Sequence, residues 1–137
     1  MQTFLPYQSF VESARVLDNK RLGKQRVETL QILNALAGRS KGWTNHPATR
    51  MWRGHENLLV IYGIAVCNEW MNRGFQDTCM GKIIAANPSL NTNIRVPDWL
   101  TDDRLYISHQ SNLVRKDPAF YGPIFDVTDD LPYYWPV

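Results

Sequence analysis

Between residues 10 and 37 apolar side chains return every three or four positions, a spacing that turns one stripe of a long helix toward a core. Ser9 precedes the run and Glu12 follows three residues later, the capping-box pattern of a helix start. Asp18 and Gly23 are the points where the run can break, and Gly38 is its stop. Asn45-His46-Pro47 opens a second stretch, with Pro47 in the first turn, where a missing N–H goes unnoticed. This stretch is expected to run over 47–73 and to end at Gly74. Its middle, 58–71, is apolar nearly all round, as in a helix buried between others. Residues 80–86 read as a short helix and 87–97 as a polar loop rich in Asn and Pro. Thr101 caps a third long helix over 102–116, and Asp117-Pro118 opens a last short turn. Pro6 disfavours helix at the residue before it, so residues 4–7 are read as extended. Three longer helices, short connections and no strand-type alternation imply an all-α fold. The expectation is a compact single-domain helical bundle over 1–137 with an extended N-terminal segment.

A chain of 137 residues can bury a core without metal or disulfide staples. Hydrophobic residues at 44% and charged residues at 20% place it among globular rather than disordered chains. Cys67 and Cys79 lack ligand spacing and are read as reduced thiols. Residues 1–11 carry no basic region followed by an apolar run, and the longest apolar stretch, 58–67, falls short of the roughly 20 residues a membrane span needs. The expectation is therefore a cytoplasmic protein of a bacterial or phage-infected host cell, with no membrane partner.

The net charge of +2 announces no nucleic-acid binder, but its distribution is uneven. Up to Gly54 nine basic residues face three acidic ones, and the remainder carries six basic against ten acidic. A basic first part joined to an acidic second part suits one anion-facing surface.

On a wheel of about 100° per residue, Val16, Leu22, Val27, Leu30, Leu33 and Ala37 fall on one side of the first helix, the expected core face. Asp18, Arg21, Gln25 and Glu28 share the opposite stripe, with Arg26 at the apolar boundary. A solvated face laced with pairs such as Asp18–Arg21 would look the same. The position of Arg26 argues for more, because a guanidinium beside a core needs a partner or a ligand phosphate. Later in the chain His109, Asn112 and Lys116 lie at i, i+3 and i+7, with Arg115 alongside. The basic pair could neutralise phosphate while His109 and Asn112 supply directional hydrogen bonds. A third group is His46 with Arg50 and Arg53 at a helix N-terminus, a plausible phosphate site. Trp52 and the tail aromatics Tyr133, Tyr134 and Trp135 suit either core sealing or stacking on bases.

There is no glycine-rich phosphate loop, Cys-x-x-Cys, His-Glu-x-x-His or nucleophile-elbow serine, and three scattered histidines make no metal site. If the chain is an enzyme, carboxylate, amine and arginine must carry the chemistry, without metal or cofactor.

Several segments together resemble a known family. They are the opening Met-Gln-Thr-Phe-Leu-Pro-Tyr, Ala14-Arg15-Val16-Leu17-Asp18, and Arg21-Leu22-Gly23-Lys24-Gln25-Arg26-Val27-Glu28. Gly42-Trp43, Asn45-His46-Pro47, Met51-Trp52-Arg53-Gly54, the run from Ser108 to Pro118 and Asp130-Leu131-Pro132-Tyr133 extend the likeness over nearly the whole chain. The chain is similar to a small phage and bacterial group placed with the pyrimidine-dimer DNA glycosylases, the phage endonuclease V type. That resemblance implies a helical domain with its N-terminal segment threaded between helices. It also implies an N-terminal α-amine that attacks the sugar C1′ of the damaged nucleotide, and a helix glutamate that stabilises the developing charge and assists the Schiff-base steps. An α-amine titrates near pH 8, so a useful fraction is a free nucleophile at neutral pH.

Gln2 is too bulky for ordinary methionine removal, so the Met1 amine would serve as nucleophile. Glu28 is the expected carboxylate; because one residue, Val27, separates it from Arg26 where the family glutamate follows its arginine directly, Asp18 stays as the alternative. The expected function is a DNA N-glycosylase for damaged or modified pyrimidines, with abasic-site lyase activity if the amine reacts. Arg21, Lys24, Gln25, Arg26, Arg50, Arg53, Arg115 and Lys116 would contact double-stranded DNA, and His46, His109 and Asn112 would position it. The alternatives are a non-catalytic binder of DNA or nucleotides using the same basic cleft, such as a phage nucleotide-sequestering protein, and a helical protein-interaction module.

Overall fold

A computed structural model describes residues 1–87 and 94–137 of the chain, so most of the expected polar loop over 87–97 lies outside the described residues. Among the described residues all regular structure is helical: α1 (Phe10–Val16), α2 (Asn19–Leu36), α3 (Pro47–Arg50), α4 (Glu56–Asn72), α5 (Met80–Ala86), α6 (Asp103–Lys116) and α7 (Pro118–Tyr121). The three longer helices are α2, α4 and α6, as the periodicity requires. α2 packs on α4 and α1 also leans on α4. α5 closes over both α2 and α4, and α7 folds back on α6.

The first apolar run breaks at Asp18, which caps α2 by accepting the Arg21 N–H, while Ser9 caps α1 by accepting from Glu12. The continuous helix expected over 47–73 is two helices. His46 Nδ1 accepts the Ala48 N–H to start α3, and the chain then turns at Gly54, whose φ of +83° is open to glycine at little cost. Apolar periodicity does not register such a break, because Trp52 within it remains fully buried. The third long helix starts a residue later than expected. A 3-10 turn over Asp98–Thr101 takes Thr101, and Asp102 caps α6 through the Arg104 N–H.

The largest departure is the orientation of α2. Val27 and Ala37, expected in the core, are exposed, whereas Gln25 and Glu28, expected on the polar face, are buried. The covering element is the N-terminal segment, which runs extended with residues 2–5 buried. An extended segment outside a sheet has no ladder to take its N–H groups, and each one left unpaired in a core would be strongly unfavourable. Side chains replace the ladder here. Gln2 N donates to Glu28 Oε2 at 2.9 Å, Thr3 N to the Gln2 side-chain carbonyl at 2.9 Å, Phe4 N to Gln25 Oε1 at 2.9 Å, and Leu5 N to His109 Nδ1 at 2.8 Å. Tyr62 on α4 donates to both the Phe4 carbonyl (2.9 Å) and Gln25 Oε1 (2.7 Å), and Trp52 Nε1 donates to Thr3 Oγ1 at 3.0 Å. On the α6 side the Gln110 amide donates to the Pro6 carbonyl at 2.7 Å. The segment thus lies between α2 and α4 on one side and α6 on the other.

Candidate active site

The buried arm ends in a cavity of about 340 Å³ lined by Met1, Gln2, Phe4, Lys20, Arg21, Lys24, Gln25, Glu28, Lys116 and Tyr133. α2 supplies most of one wall, because residues 20, 21, 24, 25 and 28 recur at three- and four-residue intervals and so share a face. Lys116 from the end of α6 and Tyr133 from the C-terminal segment close the other side. Glu28 is the acidic group of this lining, nearly sealed from solvent, among four cationic side chains. One of its oxygens accepts the Gln2 backbone N–H and the other faces Lys24 Nζ at 3.6 Å.

The hydrogen bond to Gln2 N fixes the relation between carboxylate and amine. Consecutive Cα atoms are about 3.8 Å apart, so the Met1 amine sits within one residue's reach of the peptide that Glu28 holds. His46 senses both groups. Burial, then the positive charge of the Met1 amine, hold its imidazolium below the ordinary histidine range, while the Glu28 charge pulls the other way.

A family model described as pyrimidine dimer DNA glycosylase matches residues 1–82. The chain belongs to the pyrimidine dimer DNA glycosylase family. The matched span holds the buried arm, Lys20, Arg21, Lys24 and Glu28, whereas Lys116 and Tyr133 lie beyond it. Comparison with curated proteins and with solved structures gives no match.

Of the residues singled out from sequence, the fold gathers Met1, Arg21, Lys24, Gln25, Glu28 and Lys116 around this cavity. Asp18 is engaged elsewhere. It caps α2, pairs with Arg21 at 3.1 Å and accepts a short hydrogen bond from the Tyr121 hydroxyl. Burial opposes its charge, but the Tyr121 and Arg21 hydrogen bonds outweigh burial and hold its carboxyl below the ordinary range. Arg26 finds its partner inside the protein: Asp77 lies 2.7 Å from its guanidinium, which also stacks over the Trp70 ring at 4.5 Å.

His109 and Asn112, expected to position DNA, are fully buried, so in this structure neither reaches the surface to do so. Asn112 donates instead to the carbonyls of Ser108 and Leu131. Arg115 likewise holds the C-terminal segment, through the Asp129 and Leu131 carbonyls. Arg50 and Arg53 line a separate open groove of about 690 Å³ beside Trp99, Tyr134 and Trp135. The His46 ring packs edge-on against Trp43 and against Trp135, a residue of that groove.

Two contributors were missed. Lys20 lies one turn before Lys24 and was legible from that i, i+4 spacing. Tyr62 gave no such signal, since its role depends on contacts with Phe4 and Gln25 that only the folded arm creates. Tyr133, read from sequence as a core-sealing or base-stacking aromatic, stands in the cavity wall. Burial pushes the phenols of Tyr62 and Tyr133 up, so both stay neutral at ordinary pH, and Tyr62 serves as a donor.

Proposed function

We propose that the chain is a DNA N-glycosylase acting on damaged or modified pyrimidines, with Met1 as nucleophile and Glu28 as the catalytic carboxylate. The observation that carries this reading is the hydrogen bond from Gln2 N to Glu28, which sets the amine beside a carboxylate in a cationic cavity. The free amine attacks C1′, the C1′–N bond breaks, and the base departs with its electron pair and takes up a proton. Glu28 stabilises the positive charge that develops at C1′. Loss of the amine proton and opening of the sugar ring give an imine. Removal of a C2′ proton then expels the 3′ phosphate, which is the lyase step.

Lys20, Arg21, Lys24 and Lys116 neutralise phosphates at the cavity mouth. Arg50 and Arg53 extend the contact along the neighbouring groove. A bent duplex with an extruded nucleotide is the expected bound state.

Borohydride trapping tests the reading. Intact mass first establishes that Met1 is the terminal residue, and the protein is then incubated with duplexes carrying a pyrimidine dimer or an abasic site. A covalent adduct mapping to the Met1 amine, lost in Glu28→Gln, is the expected result. Absence of any adduct across lesions removes the amine mechanism. Binding without turnover, equal in wild type and Glu28→Gln, would leave a non-catalytic DNA or nucleotide binder.

A further inference from the structure

We propose that His109 is a positioning residue: its Nδ1 sets the register of the N-terminal arm and thereby the place of the Met1 amine in the cavity. The inference rests on the amine reading above. It starts from an imidazole fully inside the core, whose Nδ1 accepts the Leu5 N–H at 2.8 Å. An accepting Nδ1 carries no proton, so the neutral ring must carry its proton on Nε2. That Nε2–H is buried without a hydrogen-bond partner among the described residues. A leucine or phenylalanine would fill the same space with no orphaned donor. An imidazole is therefore a costly filler, and its value lies in the acceptor it offers.

The place of that acceptor matters. Of the acceptors on the arm's consecutive N–H groups, Glu28 and Gln25 belong to α2, and the one at Thr3 belongs to Gln2 within the arm. His109 holds the arm from α6, at the fully buried Leu5. Its ring also packs edge-on against Phe4 and against Tyr133, a residue of the cavity wall. One side chain thus fixes the arm, α6 and the C-terminal wall relative to each other. An extended chain advances about 3.3 Å per residue, so a slip of one residue at Leu5 would carry the amine out of attacking distance.

The test compares His109→Leu, His109→Gln and His109→Asn. Asparagine puts its carbonyl near the Nδ1 position, whereas glutamine puts it near Nε2. For variants that fold by circular dichroism, the single-turnover trapping rate on an abasic duplex is measured beside the Kd for the same duplex. The Leu and Gln variants should trap roughly 100-fold more slowly with Kd within about threefold of wild type, and Asn should restore the rate. A parallel loss of rate and affinity overturns the proposal, as does an Asn variant as slow as Leu. A second readout does not need turnover: the Met1 methyl signal in protein labelled with methyl-¹³C methionine. It should be single in wild type and Asn, and split or broadened in Leu. An unchanged signal in Leu overturns the positioning role. A wild type that never traps sinks the amine reading, and the methyl signal still decides whether His109 fixes the arm.

Discussion

Acidifying the solution from pH 7 to pH 5 should remove about 2 kcal/mol of folding stability through His109 alone. Its complete burial pushes the imidazole down to about 3, against an ordinary histidine value of about 6.5. Between those values the unfolded chain takes up a proton that the folded chain refuses. The stability attached to the neutral ring is therefore complete above about pH 7, falls as the pH drops below 6.5, and levels off below 3. At pH 5 the solution lies about 1.5 units below the unfolded histidine's ordinary value, so that ring is protonated while the folded one is still neutral, which at about 1.4 kcal/mol per unit gives the figure. The rings that touch His109 are Phe4, which does not titrate, and Tyr133, whose phenol burial pushes up and keeps neutral across this range. Asp18 and Asp77 also lose stabilising charge in acid, so the comparison must be differential. Urea denaturation followed by tryptophan fluorescence at pH 7.5, 6, 5 and 4.5, on wild type and His109→Asn, isolates the effect, because asparagine takes no proton. The gap between the two stabilities should shift by about 2 kcal/mol against wild type from pH 7 to 5. Parallel stability curves would mean that the ring titrates normally in the fold, and the burial argument would fail.

Glu28→Gln should fold with little loss, since an amide oxygen can still accept the Gln2 N–H, while single-turnover base release falls by roughly 100-fold or more. Lys24→Ala and Lys116→Ala should each weaken duplex binding and lower the slope of log K against log salt by about 0.9, read by fluorescence anisotropy from 50 to 200 mM salt. Asp18→Ala removes the α2 cap and the Tyr121 contact, so it should cost about 1–2 kcal/mol in urea unfolding yet leave base release per folded molecule unchanged. Loss of activity with stability intact would instead return Asp18 to the chemistry.

How far the fold could be read from sequence depends on which element supplies a residue's neighbours. The start of α1, the break at Asp18 and the stops near Gly38 and Gly74 follow from local side chain–backbone chemistry, and each appears where the local signal lies. Burial along α2 does not follow the same rule. A helical wheel assigns Gln25 and Glu28 to water because it assumes that whatever covers a helix is apolar. The element covering α2 is another stretch of backbone, whose unpaired N–H groups make polar side chains the favourable ones at the contact. The same reasoning explains His109, which by its spacing with Lys116 looked like a surface hydrogen-bonder positioning DNA and is an interior acceptor for Leu5.

The polar stripe on α2 then performs two tasks with one set of atoms. Gln25 and Glu28 satisfy the arm's backbone, and by doing so Glu28 is held beside the residue that carries the amine. A carboxylate recruited only for chemistry would need its own support to stay desolvated and oriented. Here the peptide of Gln2 supplies that support at 2.9 Å, so the contact that makes the arm foldable also orients the site. The two roles separate on one substitution. Glutamine at position 28 keeps the acceptor and removes the charge, so the arm should stay in register while the reaction stops.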